Sequence, residues 1–498
     1  MNRRSFLKNL SATAPSAGLL SGCSVTGHTP VATSAPFQHG VASGDPLSDR
    51  VILWTRVTGL GAVEVFWWVA TNPVGDQPVA RGSQITNAER DFTVKVDAAG
   101  LKSDQTYFYG FTAAEIASPV GRTRTLPVGR VSSVSLAVTS CANHPQGFFN
   151  AYGHIAQRRD INVVLSLGDY LYEYPNSDYG DGRALGRVPV PNAEIVSLAD
   201  YRVRHAQYKQ DPDLLAAHQA HPWICIWDDH ESANNSWTDG AQNHSPETEG
   251  SWAVRKAVAI RAYYEWMPIR EVPTGLYRSF RFGNLADLVM LDTRLEGRDE
   301  QGSGEDLATA NDPDRTLLGP VQEARFLSHL KSLQETGVRW KVVGQQVVFA
   351  PWSDGKSPFN PDSWDGYRAS RNAVLDHITT HNVENTVILT GDVHSAWGME
   401  VPDASGVRRA VEFVAPAVSS PPLATNSPAL RQLVEQAPKV ASHIKFADGD
   451  HNGYLVLQLD DQAAEASWWF TGERTARNAD AFLAQRLACM SGVSELSE

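Results

Sequence analysis

Thiol, carboxyl, phenol and imidazole side chains recur directly after apolar stretches of this sequence. The polar segments concerned are Ser140-Cys141, Gly168-Asp169-Tyr170-Leu171-Tyr172, Asp228-Asp229-His230-Glu231 and Gly391-Asp392-Val393-His394. Thiolate, phenolate, carboxylate and imidazole are together the ligand types of a site that holds more than one metal ion. Several carboxylates placed close together repel one another, and a bound cation relieves that repulsion. The residue types therefore predict a multinuclear metal site.

The apolar stretches must bring these segments together for such a site to exist. In open α/β sheets, ligands bind beyond the carboxyl ends of the strands. Each segment alone has a simpler explanation, because Gly-Asp is a common turn or helix cap, an acidic loop can be solvated and a lone histidine is usually structural. Their joint occurrence after successive apolar stretches is what predicts one shared crevice.

A pattern of strands alternating with amphipathic helices begins after Arg130. The predicted strands are residues 134–138, 163–167, 223–227, 288–291, 342–348, 387–389, 411–414, 454–459 and 466–470. The predicted helices are residues 201–220, 252–266, 320–336 and 366–378. This alternation is typical of an α/β fold around a mixed central sheet. Two long loops, 174–196 and 297–319, are of the kind that often borders a site.

The preceding part of the chain has a different pattern, with short alternating strands and no helix. Its predicted strands are residues 51–54, 63–70, 92–96 and 107–112. Residues 101–109 are similar to the turn and tyrosine corner of immunoglobulin-like and fibronectin-type sandwiches. We therefore expect an all-β sandwich domain over residues 36–127 and a larger α/β domain over residues 131–470.

The C-terminal residues 471–498 are predicted to be a helical segment. Apolar residues such as Ala476, Phe482, Leu483 and Leu487 have the spacing of an amphipathic helix over residues 474–489. Simple packing against the core is the favoured role for this helix. The alternative is a lid over the mouth of the site.

Residues 1–23 have the pattern of an export signal. Basic residues precede a weakly apolar stretch that is far shorter than the ~20 residues of a membrane-spanning helix. The run Arg3-Arg4-Ser5-Phe6-Leu7-Lys8 resembles the twin-arginine signal, whose translocon carries folded proteins. Leu20-Ser21-Gly22-Cys23 resembles a lipoprotein cleavage site, which would leave Cys23 lipidated and tether the chain to a membrane. The alternative is an ordinary export signal with an incidental cysteine. Either way we expect a periplasmic, cell-envelope or secreted protein.

Composition excludes several other classes. The chain has 498 residues, of which 42% are hydrophobic and 4 are cysteine, so it can bury a large core without a disulfide framework. A formal net charge of −13 disfavours nonspecific attraction to nucleic acid. We therefore expect no specific nucleic-acid binding, and any phosphate ligand must be captured locally.

A series of short motifs runs through most of the chain. They are Phe37 to Pro46, Val51 to Val57, Thr139-Ser140-Cys141, Leu167 to Glu173, Trp227 to Glu231 with Asn234-Asn235, Leu291-Asp292-Thr293-Arg294, Asp365-Gly366-Tyr367 with Arg371, and Leu389 to His394. In this order they resemble the motifs of the PhoD-type alkaline phosphatases. The resemblance covers roughly residues 37–470. No single motif is specific to this family, but the combination is.

The resemblance implies a metallophosphatase-like α/β sandwich around mixed sheets, preceded by the N-terminal sandwich. It also implies hydrolysis of phosphomonoesters and phosphodiesters by a water or hydroxide activated by Fe(III) and Ca(II), with other divalent metals as alternatives. The implied ferric ligands are Cys141, Asp169, Tyr172 and His394. Asp169 would bridge to calcium held by Asp229, Asn235 and Asp392.

Two further residues receive roles beside the metals. His230 is the candidate acid for the leaving alkoxide or a stabiliser of phosphate charge. Arg158 resembles a phosphate-binding position, since a guanidinium can bind phosphate oxygens with two hydrogen bonds. Sequence alone leaves open whether Asp228 or Asp229 faces the metals, and Asp229 is chosen because it adjoins His230. The Asn234-Asn235 pair has the same ambiguity.

Other functions remain open from the sequence. The nearest enzymatic alternative is a phospholipase D-like or teichoic-acid-directed phosphodiesterase using the same site. An alternative of another class is an envelope protein that binds a phosphorylated polymer without cleaving it. A purely structural sandwich protein with calcium would leave the polar segments at the strand ends unexplained. The retained set of candidate ligands favours an enzyme.

Overall fold

Three β-sheets of ten, seven and five strands, together with a small two-stranded sheet, form the framework of the protein. The structure is a computed structural model that describes residues 35–273, 275–303, 306–352 and 360–498. The predicted export signal, including Cys23, lies outside the described residues. Within the described ranges, the longest apolar helices fall short of what a bilayer span requires.

The strands are numbered in chain order. They are β1 (Val41–Gly44), β2 (Arg50–Arg56), β3 (Val63–Ala70), β4 (Ala80–Thr86), β5 (Thr93–Ala99), β6 (Thr106–Ala113), β7 (Ile116–Ala117), β8 (Gly121–Arg124), β9 (Ser133–Thr139), β10 (Val163–Ser166), β11 (Pro222–Cys225), β12 (Ser236–Trp237), β13 (Gly240–Ala241), β14 (Arg278–Phe282), β15 (Ala286–Met290), β16 (Trp340–Gly344), β17 (Thr386–Thr390), β18 (Ala396–Pro402), β19 (Arg408–Val414), β20 (Ile444–Asp448), β21 (Gly453–Asp460), β22 (Ala463–Thr471), β23 (Ala481–Met490) and β24 (Leu496–Ser497).

The helices lie mainly between the strands of the α/β part. They are α1 (Asn150–Gln157), α2 (Leu198–Tyr208), α3 (Pro212–Ala220), α4 (Pro246–Glu249), α5 (Trp252–Trp266), α6 (Leu307–Ala310), α7 (Gly319–Glu335), α8 (Arg368–Thr380) and α9 (Pro428–Val440). The predicted helices at 252–266, 320–336 and 366–378 correspond to α5, α7 and α8.

Parallel strands lie at the centre of both large sheets. In the ten-stranded sheet, β9, β10 and β11 are parallel neighbours, and in the seven-stranded sheet β15, β16, β17 and β19 are parallel neighbours. Val138 and Leu165 of the first sheet share one hydrophobic cluster with Val342 and Leu389 of the second. The two sheets therefore pack face to face, and their carboxyl ends open toward a common edge.

Helices cover the outer face of the seven-stranded sheet. Phe326 and Leu330 of α7 and Leu375 of α8 share a second cluster with Val343 and Ile388 of the sheet. This arrangement of helices around two packed mixed sheets confirms the predicted metallophosphatase-like α/β sandwich.

The N-terminal part is an all-β sandwich, as predicted, but one of its two sheets is shared with the α/β part. One layer consists of β1, β2 and β5, and β1 pairs in parallel with β11, so this layer continues the ten-stranded sheet. The other layer is the five-stranded sheet of β3, β4, β6, β7 and β8. Val51, Val65 and Tyr109 are buried between the layers. The Tyr107 hydroxyl accepts a hydrogen bond of 2.8 Å from the Lys102 amide, which forms the tyrosine corner.

The predicted helix at 201–220 is in fact two helices. It ends at Tyr208 and restarts at Pro212, where the Asp211 side chain accepts hydrogen bonds from the amides of Asp213 and Leu214. Proline lacks an amide donor and clashes with the preceding turn, so it begins a helix rather than continuing one.

The predicted C-terminal helix is wrong. Residues 481–490 form strand β23, which pairs antiparallel with β22. Leu487 and Cys489, two residues apart, are buried on one face. The apolar spacing of this segment fits both a helix and a strand. The edge of β22 would otherwise be unpaired, and its backbone groups provide hydrogen-bond partners that favour the strand. A helical lid is therefore absent from the described C-terminal residues 471–498.

Candidate active site

Short connections at the carboxyl ends of the parallel strands carry the predicted ligands. Cys141 follows β9, Asp169 follows β10, Asp228 and Asp229 follow β11, and His394 follows β17. Several of these residues have left-handed backbone conformations that residues with a Cβ rarely adopt. Their φ angles are 61° for Cys141, 52° for Asp169, 51° for Asn235, 63° for Asp392 and 53° for His394. Such strained conformations concentrate at functional sites, where the surrounding structure maintains them.

One group of candidate ligands contains the thiol. Cys141, Asp169 and His394 are buried, and each offers a ligand atom within 4.8 Å of the others. Tyr172 lies against the same group: its hydroxyl donates a hydrogen bond of 2.9 Å to Asp169 Oδ2 and is 3.2 Å from His394 Nε2. The structure thus brings the predicted thiol, carboxyl, phenol and imidazole ligands together.

Two more groups extend from the first. Asp169, Asp229 and His230 form one, and Asp228, Asp229 and Asp392 form the other. Asp169 belongs to the thiol-containing group as well, so the candidate ligands are continuous. This continuity suits two adjacent cations that share a carboxylate.

Asn235 lies beside Asp229. Its backbone N–H donates a hydrogen bond of 2.5 Å to Asp229 Oδ2, and its side-chain Nδ2 donates one of 2.8 Å to Gln242 Oε1. The backbone N–H of the neighbouring Asn234 has a different partner, because it donates a hydrogen bond of 2.8 Å to Glu173 Oε1. Of the two asparagines, Asn235 is the one joined to a candidate ligand.

The electrostatics of the buried carboxylates fit a metal centre. Among the described residues, Asp169 Oδ1 is fully buried and has no hydrogen-bond partner. Burial raises the pKa of Asp169 well above its ordinary value, and the charge of Asp229 adds to this although His230 opposes it. Burial and the charge of Asp169 likewise raise the pKa of the Cys141 thiol. Cations would stabilise the ionised forms of these groups, so the residues present suit bound metal ions.

Arg294 is a central residue of the site, although its sequence motif alone does not indicate a role for it. Its fully buried guanidinium binds Asp228 through Nε at 2.5 Å, Asp362 through Nη1 at 2.8 Å and Asp392 through Nη2 at 3.2 Å. Burial lowers the pKa of Arg294, but the surrounding carboxylates more than reverse this. Arg294 lies in the motif that follows β15, so the same strand-end signal marked it.

Two buried glutamates contact the candidate site residues and hold them in position. Glu173 Oε2 is 2.7 Å from His230 Nδ1. Burial alone would lower the pKa of His230, but Asp169 and Glu173 raise it well above its ordinary value. Glu231 accepts hydrogen bonds from the amides of Asp169 at 3.0 Å and Asp228 at 2.8 Å. These contacts hold the loops after β10 and β11 together.

The prediction for Arg158 is not supported by the structure. Arg158 lies at the C-terminal end of α1, and its guanidinium binds Asp160 and, at 3.1 Å, the Tyr454 hydroxyl. It also lies 4.7 Å above the Trp469 ring. None of these three partners belongs to the groups of candidate ligands. The arginine at the centre of the site is Arg294.

The arrangement of ligands is accompanied by clear relationships to known proteins. The family model described as "PhoD-like phosphatase" matches residues 136–468, and the model of its N-terminal domain matches residues 22–127. The chain belongs to the PhoD-like phosphatase family. The family resemblance drawn from the motifs is thereby confirmed.

Individual relatives of this PhoD-like phosphatase agree with the family assignment. Alkaline phosphatase D of Bacillus subtilis (strain 168) is 39% identical over 455 residues, which cover 85% of this chain and 75% of the relative. A solved structure described as "Structure of PhoD" superposes with a TM-score of 0.83 at 34% identity, covering 94% of this chain and 93% of that one. Membership of the PhoD-like phosphatases supports a hydrolase that acts as a phosphatase.

Proposed function

We propose that this protein is an exported, metal-dependent phosphoesterase that hydrolyses phosphate monoesters and diesters. The observation that carries the proposal is the position of Asp169, a buried carboxylate shared by two groups of candidate ligands. A protein that only binds phosphorylated polymers does not need so many buried acidic groups close together. An enzyme can use it to hold adjacent cations against a phosphoryl group.

The donor types suggest which cations these are. Cys141 and Tyr172 offer the thiolate and phenolate that Fe(III) accepts, and Asp229, Asn235 and Asp392 offer the oxygen atoms that Ca(II) prefers. Bound there, the cations supply positive charge to the phosphoryl oxygens and make water more acidic.

The chain's own residues would position and protonate the leaving group. Glu173 holds Nδ1 of His230, which directs Nε2 of the ring for donation of a proton to the departing alkoxide. Arg294 joins Asp228 to Asp392 and so fixes the two loops that carry these carboxylates. Glu231 fixes the backbone of Asp169 in the same way.

Hydrolysis of p-nitrophenyl phosphate and bis(p-nitrophenyl) phosphate by the purified protein tests the proposal. We expect turnover that chelation abolishes and that Fe(III) with Ca(II) restores. The Asp169→Asn variant should lack turnover under every metal condition, since it alters both ligand groups. A folded protein that hydrolyses neither ester with any metal, or one that is unaffected by chelation, would overturn the proposal. The ratio of the two rates distinguishes a monoesterase from a diesterase.

Export and anchoring are part of the proposal. The Arg3-Arg4 pair and the Leu20-Ser21-Gly22-Cys23 run support a twin-arginine route and a lipidated Cys23. Incorporation of labelled palmitate into the wild-type chain but not into a Cys23→Ser variant would agree with anchoring. A fully soluble wild-type protein without label would contradict it.

A further inference from the structure

We propose that Arg474 forms an anion-binding subsite at the mouth of the active site. On this proposal the enzyme prefers phosphate esters whose leaving group carries a second negative charge. The inference rests on the proposed phosphoesterase function and specifies its substrate class.

Tyr179 marks the side of the site where the leaving group would lie. Its ring stacks on the His230 ring with centroids 6.2 Å apart and planes 15° apart. Its hydroxyl is 3.3 Å from His394 Nδ1. Since His230 is the candidate proton donor to the leaving group, Tyr179 lies beside the path by which that group departs.

The segment that follows Cys141 connects Tyr179 to Arg474. Asn143 Nδ2 donates a hydrogen bond of 3.2 Å to the Tyr179 carbonyl. Gly180 lies against the Gln146 side chain so closely that an added Cβ would be 2.5 Å from its Nε2. The Gln146 carbonyl then accepts a hydrogen bond of 3.1 Å from Arg474 Nε. Arg474 is therefore connected to Tyr179, which lines the site, through the segment that contains Asn143 and Gln146.

The backbone of Arg474 is also fixed in place. Its carbonyl accepts a hydrogen bond of 2.7 Å from the Phe148 amide. Gly147 packs against the Arg474 side chain, where an added Cβ would lie 2.7 Å from Cβ of Arg474. A long side chain held at its backbone, its Cβ and its Nε loses less entropy when it binds a ligand.

Among the described residues, no carboxylate forms an ion pair with Arg474, although the charge of the adjacent Glu473 favours its ionised form. The guanidinium is half-buried, and burial lowers its pKa while the neighbouring Tyr179 acts in the opposite direction. Arg477, three residues later, differs because it pairs with Asp213 at 3.3 Å and Asp211 at 3.8 Å. Arg474 thus offers Nη1 and Nη2 to a carboxylate or phosphate, in a chain with a net charge of −13.

A matched pair of substrates tests the subsite. The first is 4-carboxyphenyl phosphate, whose leaving group is anionic, and the second is its methyl ester, whose leaving group is neutral. We expect wild-type kcat/KM to favour the anionic ester by about five- to tenfold, chiefly through KM, after correction for leaving-group pKa. The preference should fall as salt is added, because the contact is partly exposed. In Arg474→Gln the ratio should fall close to one, and Arg474→Lys should restore part of it.

Arg477→Gln is the control, since this arginine is already paired, and it should keep the wild-type ratio. Equal use of both esters by the wild type, or a ratio that Arg474→Gln leaves unchanged, would overturn the subsite while leaving the phosphoesterase proposal intact. Failure to hydrolyse either ester under any metal condition would instead overturn the phosphoesterase proposal itself.

Discussion

Asp228 and Asp229 are adjacent in the chain but have different neighbours in the fold. Asp228 Oδ1 accepts a hydrogen bond of 2.5 Å from Arg294 Nε and belongs to one group of candidate ligands, whereas Asp229 lies 3.7 Å from Arg294 Nη2 and belongs to two groups. We predict that Asp229→Asn lowers bound metal and reduces kcat by about 100-fold or more. Asp228→Asn should keep more of the metal and instead lose about 1–3 kcal/mol of stability, because it weakens a buried charged hydrogen bond. Metal analysis and urea denaturation of both variants check this, and a greater metal loss in Asp228→Asn would contradict it.

Glu173 is predicted to act on catalysis through His230. Its carboxylate lies 2.7 Å from His230 Nδ1 and also accepts a hydrogen bond of 3.0 Å from Asn243 Nδ2. Glu173→Gln should lower kcat by about ten- to 100-fold while bound metal stays at the wild-type level, since only the orientation and charge of the imidazole change. The exposed Glu247→Gln is the isosteric control and should behave as wild type. Loss of metal from Glu173→Gln would assign this glutamate to the metal centre instead.

Lys209 is expected to make the folded protein more stable as the pH rises above 7. It is fully buried, its Nζ is 2.9 Å from His218 Nε2, and burial lowers its pKa to about 7. Between pH 7 and the ordinary lysine pKa, the unfolded chain binds the proton that the folded chain has released, so stability rises with pH. From about pH 7 to pH 9.5 this contribution is on the order of 3 kcal/mol. Urea denaturation should show the rise in wild type and in Lys331→Met, which alters an exposed lysine. An equal rise in Lys209→Met would refute the assignment.

At the scale of elements, β23 is expected to contribute stability rather than gate the site. Leu487 is 3% exposed and packs so closely on β18 that a Cβ at Gly398 would lie 2.5 Å from its Cδ1. Leu487→Ala should therefore cost about 2–5 kcal/mol. Leu483 on the same strand is 37% exposed, and Leu483→Ala should cost less than about 1 kcal/mol. Chemical denaturation of the two variants measures the difference. A change in substrate range without a change in stability would point back to a covering role for this segment.

At the scale of the whole molecule, the candidate metal centre joins the two large sheets. Cys141, Asp169 and Asp229 come from loops of the ten-stranded sheet, and Asp392 and His394 come from a loop of the seven-stranded sheet. Cations bound by both sets would crosslink the sheets in the folded state only. Chelation is therefore expected to lower the Tm by about 5 °C or more. Asp169→Asn should respond less to chelation in differential scanning fluorimetry, and an identical Tm with and without chelator would rule out the crosslink.

Elements formed by local patterns were predicted well, and elements formed by distant pairing were not. Strands β9 and β10 are apolar runs bounded by turn residues, and α7 begins with proline in its first turn, so their neighbours in sequence define them. Strand β1 was missed because Val41-Ala42-Ser43-Gly44 has no alternation, and it becomes a strand by pairing with β11, far away in the chain. The helix prediction over β23 fails for a similar reason, because pairing with the edge of β22, and not the local apolar spacing, sets the conformation of this segment.

Local sequence is enough to establish the chemistry available at the site, namely which residue types are present and that each follows the end of an apolar strand. The partners of those residues depend on the packing of distant segments. Asp228 and Asp229 differ in the chain only in that Asp229 adjoins His230, whereas in the fold Arg294 Nε donates a hydrogen bond of 2.5 Å to Asp228 and Arg294 Nη2 lies 3.7 Å from Asp229. Arg158 resembles a phosphate-binding residue in sequence, but its guanidinium binds Asp160 and Tyr454, which belong to none of the groups of candidate ligands. Composition and spacing report on neighbours in sequence, whereas the partner of a buried charge is set by which distant segments the two packed sheets bring within a few ångströms.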